Sequence, residues 1–141
     1  MGTLAKGLGR HKRVRFLFDT QALLWAALTP EKLSHKAAAI ISDESVELLV
    51  SAASAWEIAT KVRLGKLPFA EEFEREFLND MDAAGYTLLS IDTETALRAG
   101  RLVGEHGDPF DRMIAAQALA LDIPVISIDS ALDSFGVRRI W

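Results

Sequence analysis

Four carboxylates in this chain occupy positions from which they can do chemistry: Asp19, Glu57, Asp111 and Asp129. Asp19, with the hydroxyl of Thr20 beside it, stands in "RFLFDTQALLW" between an apolar run of strand character and an apolar run of helix character. Glu57 falls in the first turns of "SAWEIATKVRLGKL", Asp111 in the first turn of "DPFDRMIAAQALALD", and Asp129 directly after "PVISI". Ligands of open parallel sheets bind beyond the carboxyl ends of the strands, so acids at strand ends and helix starts can converge there. Crowded carboxylates repel and are driven toward protonation unless a cation neutralises them. The chain has no cysteine, and oxygen donors without thiolates favour Mg²⁺ or Mn²⁺ over zinc.

Each acid also has an ordinary structural role open to it. Asp19 can cap the helix that follows. Glu57 can pair with Lys61 one helical turn on. Asp108, Pro109 and Asp111 fit a cap, a first-turn proline and a first-turn acid favoured by the helix dipole, and of the two aspartates Asp108 is read as the cap. Asp129 can open a turn with Ser130. Taken singly, none of the four decides between structure and chemistry. His106, two residues before Asp108, is read as a loop histidine near a helix cap rather than a general base, and His11 and His35 have no acidic motif around them.

The elements that must position these acids alternate. The chain has 141 residues, 50% hydrophobic and 26% charged, the composition of one globular domain. Strand character is read at Val14 to Phe18, "VELLVSA", "YTLLSI", "IPVISID" and "VRRIW". Helix character is read at Gln21 to Leu28, with Thr29 and Pro30 starting another turn, and at "SHKAAAIISDES" with Ser34 as cap. It recurs at "SAWEIATKVRLGKL", at "PFAEEFEREFLNDMDAAG", at "TETALRAGRLVGEH" with Asp92 as cap, and at "DPFDRMIAAQALALD". Phe69, Phe73, Phe77 and Met81, four apart, read as one buried stripe, and Trp25 and Trp56 also read as core. Alternating strands and helices argue for an α/β domain with a largely parallel sheet and helices on both faces.

Residues 1–13, "MGTLAKGLGRHKR", are basic and read as a flexible extension, with residues 14–141 as one domain. The net charge of −4 argues against broad coating of nucleic acid, which rests on many Lys and Arg contacts to phosphate. No apolar run is long enough to span a bilayer, and a chain without cysteine fits a cytoplasmic location.

Taken in order, "FLFDTQALLW", "SAASAWEIATKVRLGKL", "HGDPFDRMIAAQALALDIPVISID" and "SFGVRRIW" resemble the PIN-domain proteins of the VapC-type toxin group, from Val14 to Trp141. The resemblance implies a three-layer α/β/α sandwich with a mainly parallel central sheet. It implies Asp19, Glu57, Asp111 and Asp129 as catalytic residues and as ligands of Mg²⁺ or Mn²⁺, for hydrolysis of RNA phosphodiesters to 5′-phosphate and 3′-hydroxyl ends. It further implies a homodimer and a small VapB-like antitoxin that blocks the acidic groove. Thr20, Asp108 and Ser127 are supporting residues on this reading. Lys61 and Arg112, with Arg63 and Lys66 near them, are candidates to grip phosphate. Gln21 stands where this group often has histidine and Ser127 where threonine is usual, and neither departure removes a carboxylate. The rival reading is a catalytically silent PIN-like domain that binds RNA or a protein. Phosphatase and receiver readings fail because the acids they require beside Asp19 are missing.

Overall fold

The structure, a computed structural model, describes residues 13–141; the reading of a flexible basic extension falls almost wholly outside the described residues. Strand β1 (Arg15–Phe18) leads into α1 (Thr20–Leu28), a 3₁₀ turn (Pro30–Lys32) and α2 (His35–Ser42). Strand β2 (Glu47–Ser51) leads into α3 (Ala52–Arg63), a 3₁₀ turn (Pro68–Ala70), α4 (Glu71–Arg75) and α5 (Phe77–Ala84). Then follow β3 (Thr87–Leu89), α6 (Thr93–Arg101), α7 (Pro109–Leu121), β4 (Val125–Ile126), a 3₁₀ turn (Ser130–Phe135) and β5 (Arg139–Ile140).

The five strands form one sheet in the order β3-β2-β1-β4-β5, every pair parallel. Leu17 of β1 is in register with Leu49 of β2 on one side and Val125 of β4 on the other. The chain builds outward from β1 through β2 and β3, then returns to add β4 and β5 on the opposite side. The order therefore reverses between β1 and β4, the place where such sheets open a crevice.

Alternation along the strands divides the core between the two faces. Phe18, Leu48, Val50 and Ile126 point into a cluster with Leu23, Ile58, Phe73, Phe77 and Met81. Leu17, Leu49 and Val125 point the other way, against Ile114, Ala115, Ala118, Leu132 and Phe135. The sheet thus lies between helical layers, as a buried all-parallel sheet requires.

Helix starts follow the predicted caps. Ser34 accepts the Ala37 N–H at 3.0 Å, Asp92 that of Thr95 at 2.7 Å, and Asp108 those of Phe110 and Asp111 at 2.9 and 3.0 Å. The side chain of Thr29 makes no capping bond. The helix expected over the phenylalanine stripe is broken. Phe69 sits in the 3₁₀ turn set up by Pro68 and is 66% exposed, while Phe73, Phe77 and Met81 are buried on two short helices that meet at Glu76. Pro68 takes the first-turn place that its fixed φ and missing donor suit, but the turn it opens is 3₁₀, whose tighter period takes Phe69 off the α-helical stripe. Helix α6 stops at Arg101 instead of continuing to His106. Strands β4 and β5 have only two residues each.

Candidate active site

Asp19 follows β1 directly, and its placement serves two ends. Its Oδ1 accepts the Ala22 N–H at 2.7 Å and caps α1, while its own N–H donates to the Ile126 carbonyl of β4 at 3.1 Å. The carboxylate is buried. Burial pushes its pKa up to about 6, against the pull of hydrogen bonding from Ser127 and Ala22 and with the charges of Asp111 and Asp129 adding to the rise.

Glu57 reaches the same crevice from α3 and is also buried. Its Oε2 accepts a short hydrogen bond from Lys61 Nζ, and its Oε1 is buried without any hydrogen-bond partner. Burial works against the Lys61 ammonium, but Glu57, Asp108 and Asp111 outweigh it and hold its pKa above the ordinary value. A buried carboxylate oxygen left without a donor is costly unless a cation or water meets it.

Asp111 lies in the first turn of α7, and its Oδ2 is 2.7 Å from Nε2 of His106. Burial raises its pKa; the His106 hydrogen bond opposes the rise and the charges of Asp108 and Glu57 add to it. That hydrogen bond in turn holds His106 above the usual imidazole value. Asp129 opens the 3₁₀ turn after β4, its Oδ1 accepting the Ala131 N–H and its N–H donating to Ser127 Oγ, both at 2.9 Å. The four acids that the sequence singles out, with Asp108, all line one cleft of about 280 Å³, into which Lys61 also projects. Donor atoms of His106, Asp111 and Asp129 lie within 4.8 Å of one another.

This donor set fits a hard divalent cation. Carboxylate oxygens dominate it, one of them is orphaned and buried, and two of the carboxylates are driven toward protonation by crowding and burial, a cost a cation offsets. Asp19, Glu57, Asp111 and Asp129 are the residues that would hold it.

Residues 16–137 match the model of the PIN domain family. The chain belongs to that family. This PIN domain is 46% identical over 54 residues to Ribonuclease VapC16 of Mycobacterium tuberculosis, a stretch that makes up 38% of this chain and 38% of that protein. The chain is therefore matched over less than half the length of this curated relative. Among solved structures, its fold is similar to that of VapBC2 from Rickettsia felis bound to a DNA fragment from its promoter. The TM-score is 0.68 at 12% identity, over 90% of this chain and 98% of the other. FitAcB from Neisseria gonorrhoeae gives a TM-score of 0.62 at 17% identity, over 89% and 96%.

Among the other residues of this PIN domain singled out from sequence, Thr20 lines the cleft with its hydroxyl 2.9 Å from that of Ser54. Ser127 is fully buried between the acids at the ends of β1 and β4. Arg112 is placed differently from the expected phosphate grip. Its guanidinium donates to the carbonyls of Ala99, Leu102 and His106, so it ties the end of α6 and the loop before α7 together instead of facing the cleft. Trp25 is half-buried against Trp141, but Trp56 is 62% exposed, edge-on to Phe110, and is no part of the core. His106, read from sequence as a loop histidine near a helix cap, does lie in the loop but also reaches the site through Asp111. Five positions separate it from Asp111 across a proline, so no helical or strand period brings the two together.

Proposed function

We propose that this protein is a Mg²⁺- or Mn²⁺-dependent endoribonuclease and the toxin of a toxin–antitoxin pair. The observation that carries this reading is the convergence of Asp19, Glu57, Asp111 and Asp129 on one cleft with Oε1 of Glu57 buried and unpaired. Bound there, a divalent ion supplies positive charge that stabilises phosphodiester oxygens and renders a water acidic. Asp19 and Asp129, rooted at the ends of adjacent strands, and Asp111 and Glu57, rooted on helices that leave the sheet, hold the carboxylates in a fixed array. Lys61 neutralises Glu57 and offers the RNA backbone an ammonium at the cleft. Hydrolysis adds water across a P–O3′ bond, which leaves a 5′-phosphate on one fragment and a 3′-hydroxyl on the other.

The name of the curated relative, a ribonuclease, supports RNA as substrate. The likeness to VapBC2 and FitAcB supports a small VapB-like antitoxin as partner, and a homodimeric toxin belongs to the same proposal. Among the described residues no helix is long and apolar enough to cross a membrane, in keeping with a cytoplasmic toxin.

The test is cleavage of a mixed structured RNA pool by antitoxin-free protein with Mg²⁺ or Mn²⁺, with chelator, and with Asp19→Asn in parallel. Metal-dependent cutting lost in Asp19→Asn is the expected result. Cutting that survives the substitution sinks the assignment, and metal binding without cutting favours a silent binding domain.

A further inference from the structure

We infer that His106 is the positioning residue of Asp111, held in place by Arg112 so that one oxygen of Asp111 is committed to the protein and the other is presented to the metal. The inference rests on the metal reading above and extends it to residues outside the acidic quartet.

Segment 102–108 has no regular secondary structure, yet it is fastened at several points. Arg112, on the first turns of α7, reaches back to three carbonyls: Ala99 at 3.2 Å, His106 at 3.1 Å, and Leu102. Its guanidinium lies 5.4 Å from the centroid of the Phe135 ring, and the His106 ring lies 6.1 Å from the same ring. Gly104 passes so close to that ring that a Cβ there would stand 2.7 Å from Phe135 Cε1. A planar guanidinium with five fixed donors can gather carbonyls this way, whereas an ammonium cannot span them with the same geometry. The loop is therefore built to deliver one side chain, and that side chain is His106, whose Nε2 meets Asp111 Oδ2 at 2.7 Å.

A ring nitrogen that donates its proton to a carboxylate has no lone pair left for a metal. His106 acts through Asp111, as hydrogen-bond partners of ligating carboxylates commonly do, and losing such partners costs about 10- to 100-fold in metal affinity. It fixes the rotation of the carboxylate and would leave Oδ1 for a metal in the cleft that Asp111 and Asp129 both line.

Mn²⁺ titration of the full chain, followed by electron paramagnetic resonance, tests this with His106→Leu and His106→Gln. Glutamine places an amide N–H near the position of Nε2, so the expected result is affinity lowered about tenfold or more in His106→Leu and largely restored in His106→Gln. Arg112→Lys should weaken Mn²⁺ binding in the same sense as His106→Leu. Equal affinity in wild type and His106→Leu overturns the inference, as does a ¹⁴N hyperfine coupling from histidine on the bound Mn²⁺, which would make His106 a ligand. Wild-type protein that takes up no Mn²⁺ would instead overturn the metal reading itself, so the two failures are distinguishable.

Discussion

Lys61 Nζ sits on Oε2 of Glu57 one helical turn away, while Oε1 of the same carboxylate is buried with no partner. Glu57 is thus half satisfied by its own helix and half available to the cleft. Removing the ammonium leaves a buried carboxylate with neither oxygen paired, which costs about 1–3 kcal/mol. We expect Lys61→Met, which removes the donors, to lower the unfolding free energy of metal-free protein by that order in a urea titration. The double variant with Glu57→Gln should lose less than the sum of the two single changes. Additive losses would show that the pair is not coupled.

Asp19 supplies the pH dependence. Its pKa in the folded protein, about 6, lies above the ordinary 3.8, so the folded state holds the proton more tightly than the unfolded chain. Its contribution to stability is therefore greatest in acid and declines as pH rises from about 4 to about 6. At neutral pH the ionised, buried carboxylate costs on the order of 3 kcal/mol. Metal-free Asp19→Asn should accordingly be more stable than wild type at pH 7.5 and indistinguishable from it at pH 4, by denaturant titration at the two pH values.

The same carboxylate sets how the metal is taken up. A cation binds the deprotonated form, so Mn²⁺ binding should release protons and weaken as pH falls through about 6. Calorimetry in buffers of different ionisation enthalpy reads the proton release directly. Saturating Mn²⁺ should raise the melting temperature of wild type and leave that of Asp19→Asn little changed.

Cleavage should depend on the quartet more steeply than on any neighbour. Asp111→Asn or Asp129→Asn should lower the RNA cleavage rate by more than the roughly 10- to 100-fold that loss of an outer partner of a metal ligand costs. Circular dichroism of the two variants should match wild type. A variant that retains full activity would remove that residue from the site.

Two phenylalanines four positions apart test the break in the helical stripe. Phe73 is buried and meets Phe77 at 5.6 Å between ring centroids, whereas Phe69 is largely exposed. Phe73→Ala should cost about 3–5 kcal/mol, and Phe69→Ala within about 0.5 kcal/mol. Equal losses would restore the single continuous helix read from spacing.

What the chain alone determined is what depends on near neighbours. An apolar strand, an acid and an apolar helix follow one another directly between Arg15 and Leu28, and that local order sufficed to place the acids at strand ends and to give the alternating parallel architecture. Caps at Ser34, Asp92 and Asp108 were legible for the same reason, since each bonds N–H groups within three residues of itself. Tertiary structure decided the rest. The reversal of strand order between β1 and β4 brings Asp19 beside Asp129, and no periodicity records it. Arg112 spends its donors on the Ala99 carbonyl of α6 and two carbonyls of the loop that follows it, His106 reaches Asp111 across a proline, and Trp56 turns outward against Phe110. Each of these depends on which of several satisfactory partners a side chain meets once the chain is folded, and residue type alone leaves that choice open.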